Sequence, residues 1–320
     1  MKHNYDIEKI LEYVRSHVGN TDEKKKFILD TDAYNEMDDQ FAISYALLSP
    51  DIETLALTAA PFRNWRASSP AEGMEKSYHE MIRVRDLIDS EGKRNIPCYR
   101  GSTEYMSDVS TPVVSEAAEN IVRIAKETDD TIFVAVIGCF TNVASALLLD
   151  PTIADKIVVL MLGSAKFECG TAKDFNLEQD QAAAKVLFEC GVPLIVFPAV
   201  GGVTDTLFVS NVETEYFLRG KAGKIGDFLC QTLVEFDNLG MPEKENGECN
   251  SAGRPLFDIG PIGFLREPGA FGTNIIPAKS IDDKCNWKDL GIDRKMIYIR
   301  DVYRNYIVTD MFNIIRRAGK

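Results

Sequence analysis

The feature that most constrains the fold is a regular alternation of short apolar runs with helical patterns over the first two thirds of the chain. The apolar runs have the length of strands and occupy residues 27–29, 54–60, 131–138, 156–163 and 194–199. Helical patterns lie between them, at residues 38–49, 71–90, 115–127, 142–149 and 179–190. Apolar strands that alternate with helices predict an α/β fold, with a mostly parallel central sheet flanked by helices on both faces.

The first residues are set apart from this alternation. Residues 1–25 are polar apart from Ile7, Ile10, Leu11 and Val14, whose spacing is that of one helix face. We therefore expect an appended N-terminal helix over 1–25 and a single α/β domain over 26–320, because no stretch rich in Pro, Gly or Ser divides the rest.

Composition narrows the function classes and the compartment. The formal charge of −13 disfavours binding to nucleic acid, which requires a clustered cationic surface. The N-terminus lacks the apolar core of a signal peptide, and no segment is long and apolar enough to suggest a membrane partner. The seven cysteines are odd in number and form no CxxC pair, which indicates reduced thiols and a cytoplasmic protein.

Five acidic residues lie directly after the first predicted strand, namely Asp30, Asp32, Glu36, Asp38 and Asp39. Carboxylates this close repel one another unless a cation neutralises them. Helix capping accounts for one or two aspartates at the start of the next helix, but not for the whole group. Ligands of parallel α/β sheets bind where the strands end, so the cluster favours a metal or catalytic site.

The ligand set favours a hard cation. Oxygen ligands suit Ca²⁺, Mg²⁺ or Mn²⁺, and the three histidines, His3, His17 and His79, lie far from the cluster in sequence. An EF-hand is excluded, because Asn35 and Phe41 stand where its loop requires Gly and Glu.

Three later segments add polar residues. Thr141 follows the third apolar run and opens a helix, and Asp174 and Asn176 lie in a polar loop whose side chains suit sugar hydroxyls. Asp258 stands in an otherwise apolar segment, so its carboxylate is expected to be buried and to need a metal or a partner. Arg254 is the alternative partner in the same segment.

These segments together resemble a known family. Residues 30–39, 138–144 and 174–176, followed by Asp258, are similar to motifs of the inosine–uridine-preferring nucleoside hydrolases and occur in the family's order. The likeness spans about residues 26 to 315. It implies hydrolysis of the N-glycosidic bond of a ribonucleoside or related riboside, with water activated by Ca²⁺, and less readily by Mg²⁺ or Mn²⁺.

The resemblance also implies residue roles. Asp32, Asp39, Asp258 and the backbone carbonyl of Thr141 would hold the metal, and Asp32 would take the proton from the attacking water. Asp38 would bind a ribose hydroxyl.

On the other side of the sugar, the same resemblance places Asn176 and Asp174, and we expect Asn64 to line the substrate pocket. The chain departs from the family at several points. Five residues, rather than three, separate Asp32 from Asp38, so Tyr34, Asn35 or Glu36 can enter the site.

The leaving-group side departs further. Asp174 replaces the usual Glu, and Phe257 replaces the His that purine-cleaving members often carry. His79 is one candidate for the missing acid, although a surface role is more common for such a histidine. Phe62 and Trp65 suit either base stacking or ordinary packing, and residues 241–253 suit either a lid or a plain surface loop.

The residues also allow two functions other than riboside hydrolysis. A strand followed by Asp-x-Asp also begins the haloacid-dehalogenase-like phosphohydrolases, although Lys156 and Asp180 fit their later motifs poorly. A non-catalytic homologue that binds metal and sugar is the other. We also expect a homo-oligomer, which is common among soluble enzymes.

Overall fold

The computed structural model describes residues 6–89, 92, 94–238 and 253–319. The segment predicted to be a lid, 241–253, lies outside the described residues except for Gly253.

The helices and strands follow one another as the sequence pattern predicts over the first two hundred residues. The strands are β1 (Lys25–Thr31), β2 (Ile52–Ala59), β3 (Cys98–Tyr99), β4 (Ile132–Val136), β5 (Ile157–Leu162), β6 (Leu194–Phe197), β7 (Phe208–Ser210), β8 (Gly253–Pro255), β9 (Phe271–Pro277), β10 (Lys279–Ile281), β11 (Trp287–Asp289) and β12 (Lys295–Val302). The α-helices are α1 (Ile7–Ser16), α2 (Asp38–Leu48), α3 (Pro70–Ile88), α4 (Glu116–Glu127), α5 (Thr141–Leu149), α6 (Phe175–Gln179), α7 (Gln181–Glu189), α8 (Asn211–Leu218), α9 (Gly223–Asn238), α10 (Ile259–Arg266) and α11 (Arg304–Ile315).

Among the described residues, eight strands form the central sheet, in the order β3-β2-β1-β4-β5-β6-β12-β9. Neighbouring strands are parallel from β3 to β12, and β9 joins the edge antiparallel to β12. Two small antiparallel pairs, β7 with β8 and β10 with β11, lie outside it. The predicted fold class, a mostly parallel sheet flanked by helices, is confirmed.

Both faces of the sheet are buried, which explains why its strands are continuously apolar. Along β1, Phe27 and Leu29 point into one hydrophobic cluster and Ile28 points into the other, since successive side chains alternate across a sheet. The first cluster includes buried residues of α2, α10 and α11, and the second includes those of α4, α5 and α7.

The N-terminal segment contains α1, which begins after the capping carboxylate of Asp6. Its buried residues are Ile7, Ile10, Leu11 and Val14, which join the same cluster as Phe27. Arg15 hydrogen-bonds Thr273 of β9 at 3.0 Å, so the helix lies against that edge of the sheet. The division into a helix at 1–25 and one domain at 26–320 stays a prediction.

Differences from the sequence pattern are local. The helix predicted at 179–190 is α7, which Asp180 caps through the N–H of Ala183, and the polar loop predicted before it contains the short helix α6. The last two strands of the sheet, β12 and β9, were not predicted. Within the described residues, no helix is both long and apolar enough to cross a membrane.

Candidate active site

A pocket opens at the carboxyl ends of the central strands, where the parallel architecture predicts a ligand site. Its lining combines acidic and amide side chains with an apolar wall. The lining residues are Asp32, Asn35, Glu36, Asp38, Asp39, Ile137, Leu162, Asp174, Phe175, Asn176, Ala199, Val200, Phe257 and Asp258.

Asp32 enters this pocket directly after β1. Gly138, at the end of the neighbouring strand, makes room for it, because a Cβ there would come within 3.0 Å of the Asp32 carboxyl carbon. Asp38 and Asp39 are the first two residues of α2, which has no side-chain cap, so neither carboxylate is used as the helix cap that the sequence also allowed. Both line the pocket instead.

Asp258 reaches the same place from a distant part of the chain. It precedes α10, and its backbone N–H donates to Asp38 Oδ2 at 3.3 Å. Asp38, Asp39 and Asp258 each offer a carboxylate oxygen, and these oxygens lie within 4.8 Å of one another. This trio contains Asp38 where the resemblance places Asp32, although Asp32 lines the same pocket.

Because these four carboxylates are buried, keeping all of them ionised without a cation costs free energy. The exposed fractions of Asp32, Asp38, Asp39 and Asp258 are 2%, 3%, 1% and 5%. Burial, together with the neighbouring carboxylates, raises the pKa of Asp32, Asp38 and Asp258 well above the ordinary aspartate value. Burial also raises the pKa of Asp39 to about 7, although hydrogen bonds from Thr31 and Asp258 lower it.

The donor chemistry fits a hard divalent cation. Asp32 Oδ2 is fully buried and has no hydrogen-bond partner among the described residues. Arg254, the alternative partner for Asp258, lies 3.6 Å from Glu36 in an ion pair. A cluster of oxygen ligands, one of them unsatisfied, is the environment in which Ca²⁺ or Mg²⁺ is bound.

Thr141 begins α5, and the carboxylate of Asp180 holds its side chain. Its hydroxyl donates to Asp180 Oδ2 at 2.6 Å, and the same oxygen accepts from the N–H of Met106 at 2.9 Å. Burial raises the pKa of Asp180, although these hydrogen bonds act to lower it. From the sequence, Asp180 is a candidate only for the phosphohydrolase alternative, whereas in the structure its carboxylate positions the predicted ligand Thr141.

Asp30 supports the site from inside the sheet. Its Oδ1 accepts from Thr58 at 2.6 Å and from the amide of Asn142 at 2.8 Å. Asn142 also donates to the carbonyl of Ala59 at 2.9 Å, so it ties β1 to β2 below the pocket. Burial raises the pKa of Asp30 to about 7.

Asp174 and Asn176 both line the pocket at the start of α6. Asp174 caps this helix through the N–H of Leu177 at 3.0 Å, and burial raises its pKa to about 6. The amide of Asn176 donates to the carbonyls of Ile137 and Leu162, at 2.8 and 3.2 Å. Those bonds leave the amide oxygen of Asn176 as its remaining acceptor toward the pocket.

The longer loop after Asp32 brings Asn35 and Glu36 into the pocket, as the sequence predicted for that loop. Tyr34 turns elsewhere, since its ring stacks on the guanidinium of Arg66 at 4.1 Å. Asn64 does not line the pocket itself, but its amide donates to Asn35 Oδ1 at 2.7 Å. Asn64 was expected to line the pocket, but it contacts the pocket residue Asn35 instead.

The leaving-group candidates have different locations. His79 is exposed on α3 and faces Glu75 at 3.7 Å. Phe62 is fully buried and Trp65 is 71% exposed, whereas Phe257 lines the pocket beside Asp258.

The sequence did not predict the apolar wall of the pocket, which consists of Ile137, Leu162, Phe175, Ala199 and Val200. Most of these residues lie at or just after the carboxyl end of a strand, where ligands of parallel sheets bind, so that rule would have identified them.

Comparison with known proteins identifies the family. The model of the inosine-uridine preferring nucleoside hydrolases matches residues 27–280. A probable uridine nucleosidase 2 of Arabidopsis thaliana is 29% identical over 66% of this chain and 69% of its own length. A pyrimidine-specific ribonucleoside hydrolase of Enterobacter sp. (strain 638) is 26% identical over 77% of this chain and 80% of its own.

Solved structures share the fold. A purine-preferring ribonucleoside hydrolase from Gardnerella vaginalis superposes with a TM-score of 0.70 at 20% identity, covering 92% of this chain and 99% of that one. A plant nucleoside hydrolase gives a TM-score of 0.68 at 20% identity, with 91% and 98% covered. The matched family model excludes the phosphohydrolase alternative. This chain belongs to the inosine-uridine preferring nucleoside hydrolases, which are hydrolases acting on N-glycosyl bonds.

Proposed function

We propose that this protein hydrolyses the N-glycosidic bond of a ribonucleoside or a closely related riboside, with Ca²⁺ as its metal and Asp32 as the base. The observation that carries the proposal is the group of buried carboxylates of Asp38, Asp39 and Asp258, within 4.8 Å of one another beside Asp32. Buried like charges persist in a fold when a cation or a reaction uses them.

The metal set is Asp32, Asp39 and Asp258 with the backbone carbonyl of Thr141. Four oxygen donors of this kind favour Ca²⁺ over zinc or copper. Ca²⁺ also accepts flexible ligand geometry, which suits ligands from separate segments better than the strict octahedral geometry of Mg²⁺. When bound, the cation supplies positive charge that favours ionisation of water and neutralises the carboxylates.

Asp32 accepts the proton of the attacking water in this mechanism. Its Oδ2 has no hydrogen-bond partner among the described residues, so this oxygen is available as an acceptor. Burial and the neighbouring carboxylates raise the pKa of Asp32, and a bound cation would favour the ionised form that can accept a proton. The nearby carboxylates also stabilise positive charge that develops on the sugar ring.

The sugar is held from both sides. Asp38 accepts from a ribose hydroxyl on the cation side, and Asp174 and Asn176 bind hydroxyls across the pocket. Asn64 acts through Asn35, whose amide oxygen it holds. Phe257 and Phe175 provide flat apolar surfaces along the same pocket, suited to a sugar ring face or an attached base.

The test is release of sugar from uridine, cytidine, inosine, guanosine and adenosine, each assayed with added Ca²⁺ and with a chelator. The pyrimidine-specific and purine-preferring names of the relatives and neighbours justify this panel. We expect Ca²⁺-dependent release from at least one nucleoside, and a fall of about a thousandfold or more in kcat for Asp32→Asn.

Two outcomes would contradict the proposal. Release that persists in the chelator at the full rate would remove the metal from the mechanism. Ca²⁺ and ribose binding without release from any riboside tested would instead identify the non-catalytic metal- and sugar-binding homologue.

The compartment and assembly are part of the proposal. The six cysteines within the described residues are free thiols, in keeping with a reducing cytoplasm. We expect a homo-oligomer that binds a small riboside and no nucleic acid. Light scattering after size exclusion, with and without added DNA, tests both expectations.

A further inference from the structure

The active-site pocket offers its ligand few side-chain donors. Of the pocket-lining residues that the structure describes, the carboxylates accept hydrogen bonds when ionised, and the two amides belong to Asn35 and Asn176. The amide nitrogen of Asn176 already donates to the carbonyls of Ile137 and Leu162, at 2.8 and 3.2 Å. Because both of its N–H groups are used, Asn35 is the described lining residue that has a side-chain donor left over.

Two hydrogen bonds in series fix the direction in which the Asn35 amide faces. The backbone N–H of Arg66 donates to Asn64 Oδ1 at 2.7 Å, so the Asn64 amide turns its nitrogen the other way. That nitrogen donates to Asn35 Oδ1 at 2.7 Å. Since a backbone N–H can only donate, it sets the polarity of both amides and leaves the nitrogen of Asn35 for the pocket.

The side-chain nitrogen of Asn35 is held in place and is accessible. The backbone N–H of Asn35 donates to the carbonyl of Asp32 at 2.7 Å, which fixes the main chain at this point. Asn35 is 8% exposed, and its side-chain nitrogen has no hydrogen-bond partner among the described residues. It is not one of the described polar atoms that are both fully buried and unpartnered, such as Asp32 Oδ2. This nitrogen therefore finds its acceptor in the contents of the pocket.

The leaving group of a riboside needs a donor of this kind. In the proposed reaction the bond between the anomeric carbon and the base nitrogen breaks, and its electron pair passes to the base. The oxygen of water bonds to the anomeric carbon, and the proton that Asp32 takes from this water reaches the base through solvent. Until then, the negative charge is shared with the acceptor atom on the carbon next to the glycosidic nitrogen. A donor aimed at that atom stabilises the transition state more than the ground state.

The rest of the pocket is better suited to the sugar than to the base. Each sugar hydroxyl has a proton to donate, so carboxylates can bind it, whereas the base presents acceptor atoms beside the glycosidic bond. Phe257 lines the pocket but has no polar side-chain atom. His79 is exposed on α3 and faces Glu75 at 3.7 Å. Neither residue brings a donor to the departing base.

We propose that Asn35 is a catalytic residue on the leaving-group side, whose amide N–H donates to the acceptor atom on the carbon next to the glycosidic nitrogen. This atom is a carbonyl oxygen in pyrimidine nucleosides and a ring nitrogen in purine nucleosides. Asn64 is the positioning residue of Asn35. The inference rests on the proposed function, and it adds a group that stabilises charge on the departing base without transferring a proton.

The test compares two ribosides that share the sugar and differ in the leaving group. Uridine has the carbonyl next to its glycosidic nitrogen, whereas 4-nitrophenyl β-D-ribofuranoside leaves as a stable phenolate without such an acceptor. We expect Asn35→Ala to lower kcat/KM for uridine about tenfold or more relative to the nitrophenyl riboside. Inosine, compared in the same way, tests the ring-nitrogen acceptor of a purine.

Asn64→Asp tests the same donor while Asn35 stays in place. The new carboxylate can accept from the N–H of Arg66 but has no N–H for Asn35, so the Asn35 amide should turn and donate to it. The ratio of the two kcat/KM values should then change as it does in Asn35→Ala. Asn120→Asp makes the same substitution on α4, outside the pocket, and should keep the wild-type ratio.

The outcomes separate this inference from the proposed function. Equal losses for both ribosides in Asn35→Ala would place Asn35 on the sugar and overturn the inference, as would an unchanged ratio in both pocket variants. No release of either riboside by the wild type would contradict the proposed function instead. Binding of pseudouridine, whose C-glycosidic bond has a carbonyl on the neighbouring carbon, then decides the inference. Binding about fivefold weaker or more in Asn64→Asp supports it, and equal binding overturns it.

Discussion

The backbone N–H of Asp258 donates to the carboxylate of Asp38 at 3.3 Å, across 220 residues of sequence. This bond joins the first turn of α2 to the start of α10, the two elements that deliver Asp38, Asp39 and Asp258. The cluster therefore depends on the packing of two distant helices, and it exists only in the folded chain.

Metal binding should stabilise the folded protein, because a cation offsets the repulsion and burial of the cluster. At a Ca²⁺ concentration a hundredfold above Kd, linkage predicts a gain of about 2.7 kcal/mol in the free energy of unfolding. In Asp39→Asn this gain should be largely lost, while the metal-free variant is at least as stable as the metal-free wild type. Melting temperatures with Ca²⁺ and with chelator measure both quantities.

Asp283→Asn is the matched control for that experiment. Asp283 is an exposed aspartate paired with Lys185 on the surface, so its substitution should leave the Ca²⁺-dependent increase unchanged. An Asp39→Asn protein with the full Ca²⁺ increase would show that the cluster is not the metal site.

Part of this site could be predicted because two of its segments follow apolar strands of the central sheet. Asp32 comes directly after β1, and Thr141 comes shortly after β4. The alternation of strands and helices placed their carboxyl ends at one edge before any side-chain position was known.

What could not be predicted depends on tertiary contacts. The strand β12 reads as an ordinary apolar run near the C-terminus, and only its pairing with β6 shows that it extends the sheet. Likewise, Asp180 and Asn142 look like helix-start residues, and their hydrogen-bond partners, Thr141 and Asp30, lie far away in sequence. Propensity and periodicity carry no information about such partners.

The hydroxyl of Thr141 should matter for metal affinity through its bond to Asp180. Thr141→Val removes the donor to Asp180 Oδ2 and leaves that carboxylate with one fewer hydrogen bond. If the backbone carbonyl of Thr141 is a metal ligand, Ca²⁺ affinity should fall roughly tenfold, as for other supporting contacts around metal sites. Thr141→Ser keeps the hydroxyl and should retain the affinity; calorimetric titration of both variants separates the hydroxyl from the loss of a methyl group.

Asp174 should contribute to the pH dependence of stability. Burial raises its pKa to about 6 in the folded protein, from an ordinary value near 3.8. The folded state therefore holds this proton more tightly, and the stability it contributes is present below about pH 4 and lost as pH rises through 6. By linkage the loss amounts to about 3 kcal/mol at most.

Asp174→Asn should flatten this part of the profile. The amide can still cap α6 through the N–H of Leu177, but it has no proton to lose. Urea denaturation of metal-free protein from pH 4 to 7 should show a smaller fall in unfolding free energy for the variant. Parallel profiles for the two proteins would mean that Asp174 titrates alike in both states.

Arg266 should be a costly buried charge to remove, because it ends the helix that begins beside Asp258 and ties that helix to α11. It hydrogen-bonds Asp310 of α11 at 2.5 and 2.9 Å and also pairs with Asp51, and it is 8% exposed. Arg266→Met leaves two carboxylates short of a partner, so unfolding free energy should fall by about 3–5 kcal/mol. Arg300→Met, which breaks an exposed pair with Asp301, should cost about 1 kcal/mol or less. Urea denaturation compares the two, and equal losses would show that burial of the Arg266 network adds nothing.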